Sequence, residues 1–209
     1  MKLARLGNLG IAMAGIIIVM LCGCASSPPS QFYILNSLNN TEPKRQDNSV
    51  TPSVIVAIGP IEIPDYLEKP EIVTRLSHNE LKVNEFHRWA GNFESMLSRT
   101  ITENLSLLLP ANRFSVIRWL PGMQTNLPIT YRIMVDVIRF DIIPNEAALF
   151  ESNWILYDKD KEPILIRRSD ISVPFTGIDY NDMVAAMSKA VADFSREITL
   201  VIKLQNDGI

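Results

Sequence analysis

The distribution of apolar residues divides this chain into a short greasy leader, a polar stretch, and a long region that alternates between two periods. Residues 11–21, Ile11 to Leu21, are almost wholly apolar and follow Lys2 and Arg5. A run of that length is too short for a spanning helix, which needs roughly 20 apolar residues, but it suits the core of a secretory signal. Ala25 to Gln31 is rich in Ser and Pro and reads as an extended tether. Phe32-Tyr33-Ile34-Leu35 reads as a first strand, and Asn36 to Pro52 as a solvated loop.

Val54 to Ile58 is a continuous apolar run, expected as an interior strand. Gly59 to Pro70 holds three prolines. Because proline has no N–H to give a ladder, this segment is expected as an extended edge with bends. Glu71–Leu76 and Glu80–Val83 form a hairpin pattern around Ser77-His78-Asn79. From about His87 the period lengthens: Trp89, Phe93, Met96, Leu97, Ile101, Leu105 and Leu108 recur every three or four residues. That spacing predicts an amphipathic helix stopped by Pro110, with Arg88 and Asn92 off its apolar stripe.

Phe114–Ile117 is a short strand and Leu120–Pro128 a loop. Ile129–Ile143 is a long strand in which the apolar parity switches between Val137 and Ile138, the signature of a bulge. Ala148–Leu156 and Ile164–Val173 continue it as an antiparallel meander. Asp179 can cap a final helix with Met183, Met187, Val191, Phe194, Ile198 and Ile202 on one face. The expected fold is α+β. It is a single domain over residues 32–209, with a mostly antiparallel sheet and two long amphipathic helices packed on it.

The leader ends at Leu21-Cys22-Gly23-Cys24. Leu at −3, Gly at −1 and Cys at +1 resemble the lipobox of bacterial lipoproteins. Cutting before Cys24 leaves small Gly23 at −1, whereas cutting before Cys22 would leave bulky Leu21 there. The resemblance implies a signal peptide over 1–23, a lipidated N-terminus and tether over 24–31, and S-diacylglycerol and N-palmitoyl groups on Cys24. Three acyl chains would hold permanently, since each buried methylene contributes about 0.8 kcal/mol. Ala25 at +2, in place of Asp, is similar to the pattern of lipoproteins exported to the outer membrane.

Removal of residues 1–23 leaves 186 of the 209 residues, enough for one sizeable core. The net charge of −3 becomes −5, because Lys2 and Arg5 leave with the signal. A mildly acidic chain has no electrostatic reason to seek nucleic acid or anionic headgroups, so the lipid rather than a basic patch is expected to hold it to the membrane. After processing, the sole cysteine is Cys24, so no disulfide is available.

Candidate chemistry is sparse. The only histidines are His78, in a turn, and His87, at the expected helix start. No metalloprotease, nucleophile-elbow, P-loop or dinucleotide motif occurs. Asp158, Asp160 and Glu162 have the opening spacing of a calcium loop but lack its glycine and distal Glu, which favours a charged turn. Asp136, Asp141, Glu146 and Glu151 read as surface charge. No catalytic or metal site and no cofactor is expected beyond the lipid on Cys24. An envelope hydrolase would have to work through His87 or Asp136.

Val56 to Leu67, Pro70 to Arg75 and Phe86-His87-Arg88-Trp89-Ala90, with the lipobox and Phe32 to Leu35, resemble the PqiC family of ABC-type transport auxiliary lipoproteins. The resemblance implies an outer-membrane lipoprotein with its domain in the periplasm. It would act as a docking or hand-off component of an MCE-type lipid-transport system, alongside a PqiB-like MCE protein and a PqiA-like inner-membrane protein. It also implies a ring-shaped homo-oligomer, with phospholipid as a candidate ligand. The alternative is a structural or assembly lipoprotein that binds cell wall or chaperones an outer-membrane protein. On residue chemistry, the candidate partner-binding residues are Pro64, Asp65, Tyr66, Leu67, Arg88 and Trp89, because proline-fixed edges dock at low entropic cost and Tyr, Trp and Arg are common anchors. The competing possibility is that Tyr66 and Trp89 pack together and Pro64 only turns the chain.

Overall fold

Two sheets and two helices account for almost all the regular structure. The computed structural model describes residues 28–38, 52–120, 122–123 and 125–207. The signal, Cys24, the first three residues of the tether and the centre of the 36–52 loop lie outside the described residues.

Eight strands run in the order β1 Gln31–Tyr33, β2 Val54–Glu62, β3 Glu71–Ser77, β4 Glu80–Trp89, β5 Phe114–Arg118, β6 Tyr131–Ile143, β7 Ala147–Tyr157 and β8 Pro163–Pro174. Helix α1, Phe93–Leu108, follows β4, and α2, Tyr180–Asp207, closes the chain. A three-stranded sheet has the order β1-β4-β3 and a five-stranded sheet the order β5-β2-β6-β7-β8. The fold is α+β. The long ladders β6–β7, β7–β8 and β3–β4 are antiparallel, while the shorter β1–β4, β2–β5 and β2–β6 pairings are parallel. The meander matches its expectation, and the parity switch in β6 is a bulge between Val137 and Arg139.

Both helices pack on one face of the larger sheet, α1 against β2 and β5 and α2 against β7 and β8. The six residues expected on the apolar face of α2 are all at most 2% exposed. An aromatic file crosses this core. Trp89 meets Phe93, Phe93 meets Phe140, Phe140 meets Phe150, and Phe150 meets Phe194, with centroids 4.8–5.8 Å apart. Such tilted contacts are favourable beyond the area they bury.

Three expectations change. First, Pro60 lies inside β2, an interior strand, rather than in an edge segment. The β2–β5 pairing ends at Ile58 opposite Arg118, so Pro60 lies past the paired part of that edge. On the β6 side the register gains one residue between Ile58 and Ile61. Second, His87, Arg88 and Trp89 belong to β4, not to a helix start. The helix begins four residues after Trp89, where the Asn92 side chain accepts the Ser95 N–H at 2.8 Å. Trp89 happens to fall on the helical period but is buried from a strand. Third, the start of the 36–52 loop is pinned. The Asn36 N–H donates to Ser188 Oγ on α2 at 3.1 Å, and the Leu38 N–H donates to Asn104 Oδ1 on α1 at 2.7 Å.

Candidate functional site

Proline sets the geometry of the segment between the sheets. Pro64 is extended, with φ −62° and ψ 144°, and Asp65–Leu67 then makes one 3-10 turn, with the Leu67 N–H bonded to the Pro64 carbonyl at 2.9 Å. The turn drives Leu67 into the core and lays Tyr66 across β6. There the Tyr66 hydroxyl donates to Asp141 Oδ1 at 2.8 Å and accepts the Phe140 N–H at 3.1 Å.

Asp141 is the centre of this site. The bulge in β6 puts Phe140 and Ile142 on the helix face, so Asp141 points the other way, toward β3, yet only 2% of it is exposed. Its Oδ2 accepts Nε–H bonds from both Arg75 of β3 and Arg139 of β6. Arg75 also donates through Nη1 to the His78 carbonyl at 3.1 Å. Arg139 reaches Glu151 at 3.4 Å, and Arg168 reaches the other oxygen of Glu151 at 3.0 Å. Burial alone would raise the Asp141 carboxyl, but the bonds from Arg75, Arg139 and Tyr66 outweigh it and hold the group below the usual carboxylate range. Burial pushes the Tyr66 hydroxyl well above the usual phenol range, and Asp141 adds to the rise. Asp141 is therefore an ionised, triply bonded strut, not the surface charge expected of it. Asp136 and Glu146 do lie at the surface.

Beside the strut is a hollow of about 490 Å³ lined by Arg75, Arg139, Leu76, His78, Ile143 and Glu146. Its two guanidiniums suit it to polar or anionic groups. His78 is exposed at the hairpin tip. His87 stacks on Tyr180 at 3.6 Å and shares a 2.9 Å hydrogen bond with Tyr33, a packing role. The Asp158 carboxylate accepts the N–H groups of Asp160 and Glu162, so it is spent on its own turn. Among the described residues no group of three or more potential ligands could hold a metal ion.

Of the candidate partner-binding residues, Leu67 and Trp89 are 4% and 5% exposed and serve the core. The ring nearest Trp89 is Phe93, with no stacking on Tyr66. Tyr66 is committed to Asp141 and Phe140. Arg88 pairs with Glu71 at 3.1 Å. Asp65 is exposed and Pro64 half-buried, so the open part of the segment is small. Sequence reasoning missed Arg75, Arg139 and Asp141 as a unit. The available signal was the bulge, which sends a charged residue to the face opposite Phe140.

Fold and site together define an α+β domain built around a buried ionic strut. The chain belongs to the family of ABC-type transport auxiliary lipoprotein components, whose model matches residues 36–199. This is not a family of known enzymes. Protein XCC0632 from Xanthomonas campestris, a DUF330 protein, is similar in structure with a TM-score of 0.64. It is 18% identical, over 86% of this chain and 100% of its own. A crystal structure of a protein described as uncharacterized has a TM-score of 0.68 and 18% identity, over 84% of this chain and 99% of its own. Both likenesses concern the fold. No match is found among curated proteins.

Proposed function

We propose that this protein is the outer-membrane lipoprotein of an MCE-type lipid-transport system, a docking or hand-off component between a PqiB-like MCE protein and the outer membrane, with a PqiA-like protein at the inner one. The observation that carries the reading is the family match across residues 36–199, joined to a lipobox ending at Cys24. In this reading Cys24 carries the acyl chains and the domain stands in the periplasm. No helix among the described residues is long and apolar enough to cross a membrane. Of the candidate partner-binding residues, Asp65 is the exposed one, while Arg88 in β4 is half-buried and paired with Glu71.

Two measurements test it. Labelled palmitate should appear on the wild-type protein and not on Cys24→Ser; equal labelling of both would refute the anchor. Purification in mild detergent should recover an MCE protein. Recovery instead of peptidoglycan or an outer-membrane protein alone would favour a structural or assembly role.

A further inference from the structure

The strand nearest the tether carries its apolar side chains outward. Phe32 is 65% exposed and Ile34, two positions on along extended chain, is 50% exposed. Residues two apart in extended chain share a side. Ile34 lines a hollow of about 310 Å³ whose wall includes Ser95, Arg99 and Arg118, with Met96 beneath. Arg99 and Arg118 are exposed, and neither is paired with a carboxylate among the described residues. Leu120, two residues after Arg118, is a further exposed apolar side chain, at 50%. The mature chain is acidic overall, so two unpaired guanidiniums around a half-apolar hollow are a local feature and not a general one.

The covalent chain limits how far this face can lie from the anchor. Cys24 is seven residues before Gln31, and extended chain spans at most about 3.3–3.6 Å per residue, so β1 stays within about 25 Å of the anchor. The Tyr180 ring, at the start of α2, lies 6.0 Å from the Tyr33 ring. Leu204 is 24 residues further along that helix, which at 1.5 Å per residue puts it about 36 Å away. The two ends of the molecule are thus unequally placed relative to the lipid.

We propose that the face formed by Phe32, Ile34 and Leu120 with Arg99 and Arg118 rests on the bilayer that holds the anchor, its guanidiniums on headgroup phosphates. This rests on the lipidation of Cys24 in the reading above. The tether keeps a bilayer surface within reach of this face, and that surface matches both chemistries. Arginine takes phosphate oxygens bidentately, and aromatic and aliphatic side chains settle at the headgroup level. The acyl chains supply the attachment and the arginines set the orientation. The opposite end of the domain is thereby turned toward the periplasm.

The test uses the full lipidated protein with one added thiol, Ser95→Cys or Leu204→Cys, each carrying a solvent-sensitive fluorophore. The vesicles contain three parts phosphatidylethanolamine to one part phosphatidylglycerol. Acrylamide should quench the label at position 95 at least about threefold less than the label at 204, because headgroup contact excludes solvent. Adding Arg99→Glu and Arg118→Glu should raise quenching at 95 to the level at 204 while the protein still floats with the vesicles. Flotation with equal quenching at both positions overturns the orientation and leaves the anchor standing. Protection at 95 that survives both charge reversals overturns the role of the arginines. Failure to float overturns the anchor, and the orientation with it.

Discussion

Replacing Asp141 by Asn tests the reading of the strut directly. The substitution keeps size and removes the charge that three donors share. The Tyr66 hydroxyl can still find an oxygen, but the Asn amide nitrogen then faces the Arg75 and Arg139 guanidiniums. Removing one partner of a buried ion pair costs about 3–5 kcal/mol, because a desolvated charge is left behind. Here the arginine side chains are 19% and 30% exposed, so water recovers part of that loss and the lower end, about 3 kcal/mol, is expected. For a domain of this size that corresponds to a fall in Tm of about 6–12 °C. Urea unfolding followed by circular dichroism should show the midpoint falling with an unchanged slope. Because the folded carboxyl is held below its ordinary value, its contribution is present above about pH 4 and is lost as the pH falls through the folded value. The gap between wild type and Asp141→Asn should therefore narrow from pH 7 toward pH 3. A loss under about 1 kcal/mol at pH 7, or a gap that does not change with pH, would refute the strut.

Other perturbations follow from the same geometry. Gly59 has φ +126°, and an added Cβ would lie 2.5 Å from the Trp119 carbonyl oxygen; Gly59→Ala should cost at least about 2 kcal/mol, read as a shift in urea midpoint. Ser169 Oγ accepts the buried Trp154 indole N–H at 3.0 Å and donates to Glu197 at 2.5 Å; Ser169→Ala should cost about 1–3 kcal/mol and alter tryptophan fluorescence, and no change in either would count against the buried bond. The raised Tyr66 hydroxyl favours the fold below the ordinary phenol value and loses that contribution as the pH rises past it. Tyr66→Phe should therefore flatten the fall in stability above about pH 10; an unchanged alkaline limb would sink the assignment.

Local pattern carried far in this chain. The buried stripe of α2 from Met183 to Ile202, the β6–β7–β8 meander and the bulge after Val137 were all legible, because burial on one face imposes a period of 3.6 or 2 that a sequence displays. The turn at Asp158 was legible for a similar reason, since a carboxylate beside its own backbone closes locally. Trp89 misled because it lies four residues before Phe93 and seven before Met96, a spacing that a strand leading into a helix can imitate. Pro60 misled because its place in β2 depends on where the pairing with β5 stops.

By itself the sequence determined the α+β class and the order of its main elements, and it carries the lipobox-like stretch ending at Cys24, since each rests on residues close together in the chain. Only the tertiary structure decided that Asp141 is an ionised strut between two arginines, that Leu67 and Trp89 belong to the core, and that Arg99 and Arg118 share a hollow with Ile34. Those outcomes join residues tens of positions apart. Their energies depend on desolvation and on partners across the fold, and neither is written in the local pattern.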